Sequence, residues 1–182
     1  MSPGKEMLIK TIFAGFGGQG VLSMGLSLAQ AAMMEEKNVT YLPSYGVEVR
    51  GGTANCTVAI SDEEIASPVA SAPEFVVAMN QPSLMRFQNQ VQSGGVLFFN
   101  SSLVKAEVSR GDIELVGIPA GRIAEELGSP RSANMVMLGA FVKKSNLVSM
   151  VTLVEGLKST LKSKTNLIAI NKKALMAGYD IF

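Results

Sequence analysis

Apolar residues in this chain fall into short unbroken blocks and longer stripes of helical spacing, in alternation. Residues 8–14, LIKTIFA, are a block that runs into GFGGQG, which fits a buried strand entering a glycine turn. After Gly20, VLSMGLSLAQAAMMEEK carries a helical stripe through Val21, Met24, Leu28, Ala31 and Ala32, with its charge at the carboxyl end. NVTYL (38–42) and TANCTVAIS (53–61) read as strands, the second from its β-branched residues and partial alternation. Pro73 opens PEFVVAMN, a fourth strand ending at Asn80. Gln81-Pro82-Ser83 then starts a helix with Pro in its first turn, running to about Gln92 and closed by Gly94-Gly95. VLFFN (96–100) and IELVGIP (113–119) are the fifth and sixth strands, and GRIAEELG is a short helix stopped by Gly128. Ser132 is placed to cap a helix over Ala133–Ser145, and further helical patterns lie at about 149–162 and 167–177.

This order predicts one α/β domain over residues 1–182. It is Rossmann-like and three-layered, with helices on both faces of a largely parallel or mixed sheet. The mixed option comes from residues 38–80, which hold three strand patterns with no helix between them. Parallel neighbours need a long crossover, whereas directly linked strands can turn back on each other.

Composition then narrows the function classes. Of 182 residues 47% are hydrophobic, only 17% are charged and 11 are Met, so a permanent partner is expected to cover one face. The net charge is +1, Lys and Arg form no run and aromatics are 6%, which argues against nucleic-acid binding. No apolar run reaches the about 20 residues of a membrane span, and MSPGKEMLIK lacks the apolar core of a signal peptide. Cys56 is the only cysteine, so no disulfide or cysteine-rich metal site can form, and a reducing, cytoplasmic setting is expected. Cys56 itself reads as a small buried hydrophobe on a strand. Histidine is absent, which removes the commonest general base and the commonest metal ligand. No catalytic residue and no metal site is assigned to this chain, and the hard chemistry of any reaction it serves is expected on a cofactor or another subunit.

Gly15, Gly17 and Gly20 match G-x-G-x-x-G between a strand and a helix, with Gly18 and Gln19 completing the turn. Such a turn lets an anion approach the free N–H groups at a helix start. The acid expected at the end of the second strand is replaced by Tyr41, Leu42 and Pro43, and Glu35 and Glu36 fall too early, on the helix. A nucleotide site, another phosphate or anion contact, and a tight packing turn all remain open. A second segment, YLPSYGVEVRGGTANCT (41–57), holds a loop longer than a chain reversal needs. Glu48 and Arg50 alternate with valines and so share one side of an extended segment. Arg50 is either an anion ligand or half of a surface pair with Glu48. Tyr45 can pack its ring and donate its hydroxyl, and Gly46, Gly51 and Gly52 allow close approach to a neighbour. Asn80 and Gln81 stand where ligands bind in open α/β sheets, or Asn80 simply caps the helix. SANMVMLGAF, after Arg131, reads as core or as a subunit face.

GFGGQG, YLPSYGVEVRGGTANCTVAIS, PEFVVAMNQ and GGVLFFN together resemble the gamma subunit of the 2-oxoacid:ferredoxin oxidoreductases, over roughly residues 8–178. SYGVEVRGG is the most specific of these segments. The resemblance implies a complex that oxidatively decarboxylates pyruvate, 2-oxoglutarate or a branched-chain 2-oxoacid with thiamine diphosphate and Mg. It implies transfer of the acyl group to coenzyme A, and of electrons through iron–sulfur clusters to ferredoxin. The implied partners are alpha, beta and delta (ferredoxin-like) subunits, which hold these cofactors. This chain has neither cluster cysteines nor a Gly-Asp-Gly thiamine pattern. It is expected to hold none of the redox centres, to be inactive alone, and to support assembly and the coenzyme A side of the site. Tyr45, Gly46, Glu48, Arg50, Gly51, Gly52, Asn80 and Gln81 then become subunit-interface or active-site-rim residues. A homodimer of the isolated chain stays open. The alternatives are a free-standing nucleotide-binding protein and a purely structural interaction module.

Overall fold

Successive residues of the central strands point into two different cores, and this places helices on both faces of the sheet. A computed structural model describes residues 7–45, 53–105, 107–160 and 165–182. The strands are β1 (Leu8–Phe16), β2 (Asn38–Tyr45), β3 (Thr53–Ser61), β4 (Phe75–Ala78), β5 (Val96–Asn100) and β6 (Glu114–Ile118). They form one sheet in the order β2-β3-β1-β4-β5-β6. The helices are α1 (Val21–Met34), α2 (Gln81–Phe87), α3 (Ala120–Glu126), α4 (Ala133–Ser145), α5 (Met150–Thr160) and α6 (Thr165–Tyr179). Phe13, Val77 and Phe98 face the larger core with α1, α4, α5 and α6. Their neighbours Ile12, Val76 and Leu97 face a smaller core with Leu84 and Phe87 of α2.

The sheet is mixed as the sequence allows. β1, β4, β5 and β6 run parallel, while β3 lies antiparallel to both β1 and β2. β2 runs on through Pro43 to Tyr45, past the predicted end at 42. It is an edge strand, where a missing N–H removes little from the ladder. α2 stops at Phe87 rather than near Gln92. Val91 drops into the smaller core there, and the Arg110 guanidinium donates to the Gln88 and Val91 carbonyls at 3.1 and 2.6 Å, ending the helix with a side chain. Ser132 does not cap α4 as the sequence suggests; its hydroxyl pairs with that of Ser129 at 2.8 Å, inside a 3-10 turn over Pro130–Ser132.

Phe141 of α4 is the hub of the larger core. Its ring meets Phe13, Phe75 and Phe98 at 5.4–5.5 Å in edge-to-face contacts. α4 and α6 touch backbone to backbone through two glycines. A Cβ on Gly139 would lie 2.0 Å from the Leu175 carbonyl oxygen, and one on Gly178 would lie 1.8 Å from that of Val136. Any side chain at either position forces the helices apart.

Candidate functional site

The glycine turn leaves β1 and is closed largely by its own side chains. Gln19 folds back so that its Oε1 accepts from the Phe16 N–H at 2.7 Å and from Asn80 Nδ2 at 2.8 Å. Its Nε2 donates to the Met79 carbonyl at 3.4 Å. Asn80 in turn accepts from the Ser83 N–H at 2.9 Å, so it both caps α2 and joins β4 to the turn. Gly20, with φ +72°, lets the chain enter α1, and no side chain caps the helix. Its carbonyl accepts from Asn134 Nδ2 at 3.3 Å, and a Cβ there would lie 2.3 Å from that nitrogen.

Beyond the turn, a cleft of about 960 Å³ opens over the carboxyl ends of the parallel strands, the edge where ligands bind in such sheets. Gly18, Gln19 and Met79 form one end, and Asn134 and Arg131 line it from the α4 side. The other end is Asn100, closing β5, with Ser102, Gly121 and Arg122. Asn100 is 1% exposed, and its Oδ1 accepts from the N–H groups of Ser102 and Gly121 at 3.2 and 3.3 Å. The Ser102 hydroxyl accepts from the Arg122 N–H at 3.1 Å. Arg122, Arg131 and Glu125 give the cleft lining an excess of positive charge. The Arg122–Glu126 pair is 3.8 Å apart and mostly exposed, so it takes little from the Arg122 field.

The predicted site residues are thus spread unevenly. Gly18 and Gln19 line the cleft, Gly15 and Asn80 are buried and Gly17 is exposed. Gln81 sits outside, accepting from the Lys105 N–H at 3.0 Å. Gly46, Glu48, Arg50, Gly51 and Gly52 lie outside the described residues, as does the Tyr45 side chain. The backbone of Tyr45 pairs with Ala54, and Thr53 pairs with Phe16, so β2 ends and β3 begins at the edge that carries the glycine turn.

Cys56 is wholly buried, and its thiol donates to the Val21 carbonyl at 3.5 Å. Burial pushes its pKa up to about 12 against the pull of backbone groups of Gly25 and Phe13, which excludes a thiolate role. Among the described residues no group of three His, Cys, Asp or Glu is placed to hold a metal. Also among them, no helix is long and apolar enough to cross a membrane.

Asn100, Ser102, Gly121, Arg122, Arg131 and Asn134 were not anticipated from the sequence. One signal was available: VVAMN and VLFFN both end an apolar strand on Asn.

A family model described as pyruvate ferredoxin/flavodoxin oxidoreductase matches residues 10–181. The ketoisovalerate oxidoreductase subunit VorA of Methanothermobacter thermautotrophicus is 42% identical over 173 residues, which is 94% of this chain and 36% of the relative. The chain therefore spans about a third of that protein's length. A keto/oxoacid ferredoxin oxidoreductase gamma subunit from Geobacter sulfurreducens has the same fold, with TM-score 0.81, 28% identity and coverage of 94% and 96% of the two chains. The 2-oxoglutarate:ferredoxin oxidoreductase of Magnetococcus marinus, solved with 2-oxoglutarate, coenzyme A and succinyl-CoA bound, matches with TM-score 0.85 and 25% identity, over 98% of this chain and 31% of its own.

Proposed function

The chain belongs to the pyruvate ferredoxin/flavodoxin oxidoreductase family, and on that premise we propose that it is the gamma subunit of a 2-oxoacid:ferredoxin oxidoreductase. The complex converts a 2-oxoacid and coenzyme A to an acyl-CoA and carbon dioxide, with two electrons passing to ferredoxin. Thiamine diphosphate, Mg and the iron–sulfur clusters belong, in this reading, to the alpha, beta and delta partners. This chain supports their assembly and offers its cleft to coenzyme A, and the complex works in the cytoplasm.

The observation that carries the reading is the cleft itself. It is open, lined by amides and hydroxyls beside apolar Met79, Leu103, Pro119 and Pro130, and bordered by Arg122 and Arg131 at the carboxyl edge of a parallel sheet. That combination suits a long, phosphate-bearing acceptor better than a small apolar substrate. The dinucleotide alternative loses support here, because Gln19 fills the turn and the residues closing β2 supply no ribose acid. The segment 46–52, with Glu48 and Arg50, is read as the contact that meets a partner subunit next to the cleft.

The test is reconstitution. The chain alone is expected to give no 2-oxoacid-dependent dye reduction, and activity is expected only with the alpha, beta and delta subunits present. Full activity of the isolated chain would overturn the reading. The Glu48→Ala/Arg50→Ala double variant is expected to weaken assembly, read by native mass spectrometry.

A further inference from the structure

A second cavity lies among α1, α4, α5 and α6, behind the 3-10 turn over Pro130–Ser132. Its volume is about 300 Å³, at the lower end of the range of small-molecule sites. Arg131 and Asn134 line both this cavity and the cleft, so the turn stands between the two. Ser23, Leu26, Ser27, Leu157, Leu167 and Asn171 line only this one.

The walls differ in chemistry. The turn contributes Ser132 and, just before it, Ser129, with their hydroxyl oxygens 2.8 Å apart. That bond uses one O–H hydrogen and leaves the other to donate. Ser27 of α1 adds a third hydroxyl at 4% exposure, and Ser132 is 5% exposed. Polar groups placed this deep are costly unless something bonds them. Facing them are Leu26, Leu167 and the 3% exposed Leu157. Among the described residues no Asp or Glu lines the cavity, and Arg131 takes part in no ion pair. The cavity therefore sets an unanswered positive charge and spare hydroxyls against an apolar wall.

We propose that this cavity is a second ligand site, for a small carboxylate with an apolar body. The Arg131 guanidinium pairs with the carboxylate, a hydroxyl of the Ser129–Ser132 pair donates to it, and the leucines cover the body. A neutral molecule leaves the guanidinium unanswered, and inorganic phosphate leaves the leucines wet. The site is separate from the cleft and does not depend on what the cleft binds.

The full chain is titrated with hexanoate, hexanamide and inorganic phosphate, and binding is followed by ligand-observed NMR and calorimetry. Hexanoate is expected to bind with a Kd of about 1 mM. Hexanamide and phosphate are expected to bind at least about tenfold more weakly. Ser23→Phe, at an exposed position of α1, puts a ring into the cavity, and Asn171→Phe does so from α6. Each is expected to raise the Kd for hexanoate at least about tenfold, and Arg131→Gln about tenfold. Arg122→Gln, at a residue that lines the cleft alone, is expected to leave it unchanged. No hexanoate binding, or hexanamide binding as tightly, overturns the anion site. Phosphate binding as tightly overturns the apolar recognition. An unmoved Kd in a Phe variant that keeps the parent far-UV spectrum overturns the second site. A loss in Arg122→Gln equal to that in Arg131→Gln does the same, by placing the acid in the cleft. If neither Phe variant folds, that pair of arginine variants decides alone.

Discussion

Two adjacent strands, β4 and β5, lead into buried asparagines at the same edge of the sheet, and the two amides are used differently. Asn80 commits both ends to protein: its oxygen takes the Ser83 N–H and its nitrogen is taken by Gln19. Asn100 commits only its oxygen, to Ser102 and Gly121. The first amide is a joint between β4, α2 and the glycine turn, and the second is a joint with a spare donor. The end of the cleft that carries a familiar glycine motif is the self-satisfied one. The end with no motif holds the unused capacity.

The comparison can be broken most sharply at Gln19. Gln19→Ala leaves the Phe16 N–H and Asn80 Nδ2 without their acceptor, and is expected to cost about 3 kcal/mol in denaturant unfolding. The two asparagines come next, changed identically. Asn80→Asp turns a donor toward Gln19 Oε1 into a second acceptor, at about 2 kcal/mol. Asn100→Asp keeps both of its bonds and is expected to cost under about 1 kcal/mol. Equal losses at the two positions would end the distinction between the fully used amide and the one with a spare donor. Gly18→Ala is of comparable size. Its φ is +96° with no atom within 4 Å of an added Cβ, so only backbone strain of about 1 kcal/mol is expected, read as a small fall in Tm.

Cys56 offers the mildest probe, since its thiol bonds the first residue of α1 beneath the turn. Its pKa is pushed up to about 12 in the fold against an ordinary value of 9.0. The folded protein therefore holds a proton that the unfolded chain releases first. This contribution to stability is complete below pH 9 and is lost as pH rises from 9 towards 12. Below pH 9, alkylation of the native protein is expected to be slow and unchanged in Asn100→Asp, but faster in Gln19→Ala. Mass spectrometry after timed iodoacetamide exposure measures both.

Much of this fold can be read from the chain. Apolar blocks mark the strands, and the run from 38 to 80 without a helix announces the antiparallel flank. The end of α2 was hidden because a distant guanidinium, Arg110, takes the carbonyls of Gln88 and Val91 just beyond it. The site was half visible. The glycine motif marks the turn, but Gln19 occupies an unspecified position in that motif and determines what the turn can do. Asn100, Gly121, Arg122, Arg131 and Asn134 come from separate stretches, and only the sheet order brings them to one opening. No local spacing encodes that. The segment 46–52, the most specific in sequence, lies outside the described residues, and only its flanks, Tyr45 and Thr53, are placed beside the glycine turn.

The paired glycines of α4 and α6 have a consequence for the cleft wall. Where long side chains interdigitate, a helix can slide by switching rotamers. Here Gly139 and Gly178 place backbone against backbone, and there is nothing to switch. α4 carries Asn134 at its start, bonded across to Gly20. This wall of the cleft is thus held at the start of α4 by a hydrogen bond and at its middle by backbone contact. A molecule entering from that side meets a template rather than a glove, and its fit is decided by outline, with adaptation left to the other wall.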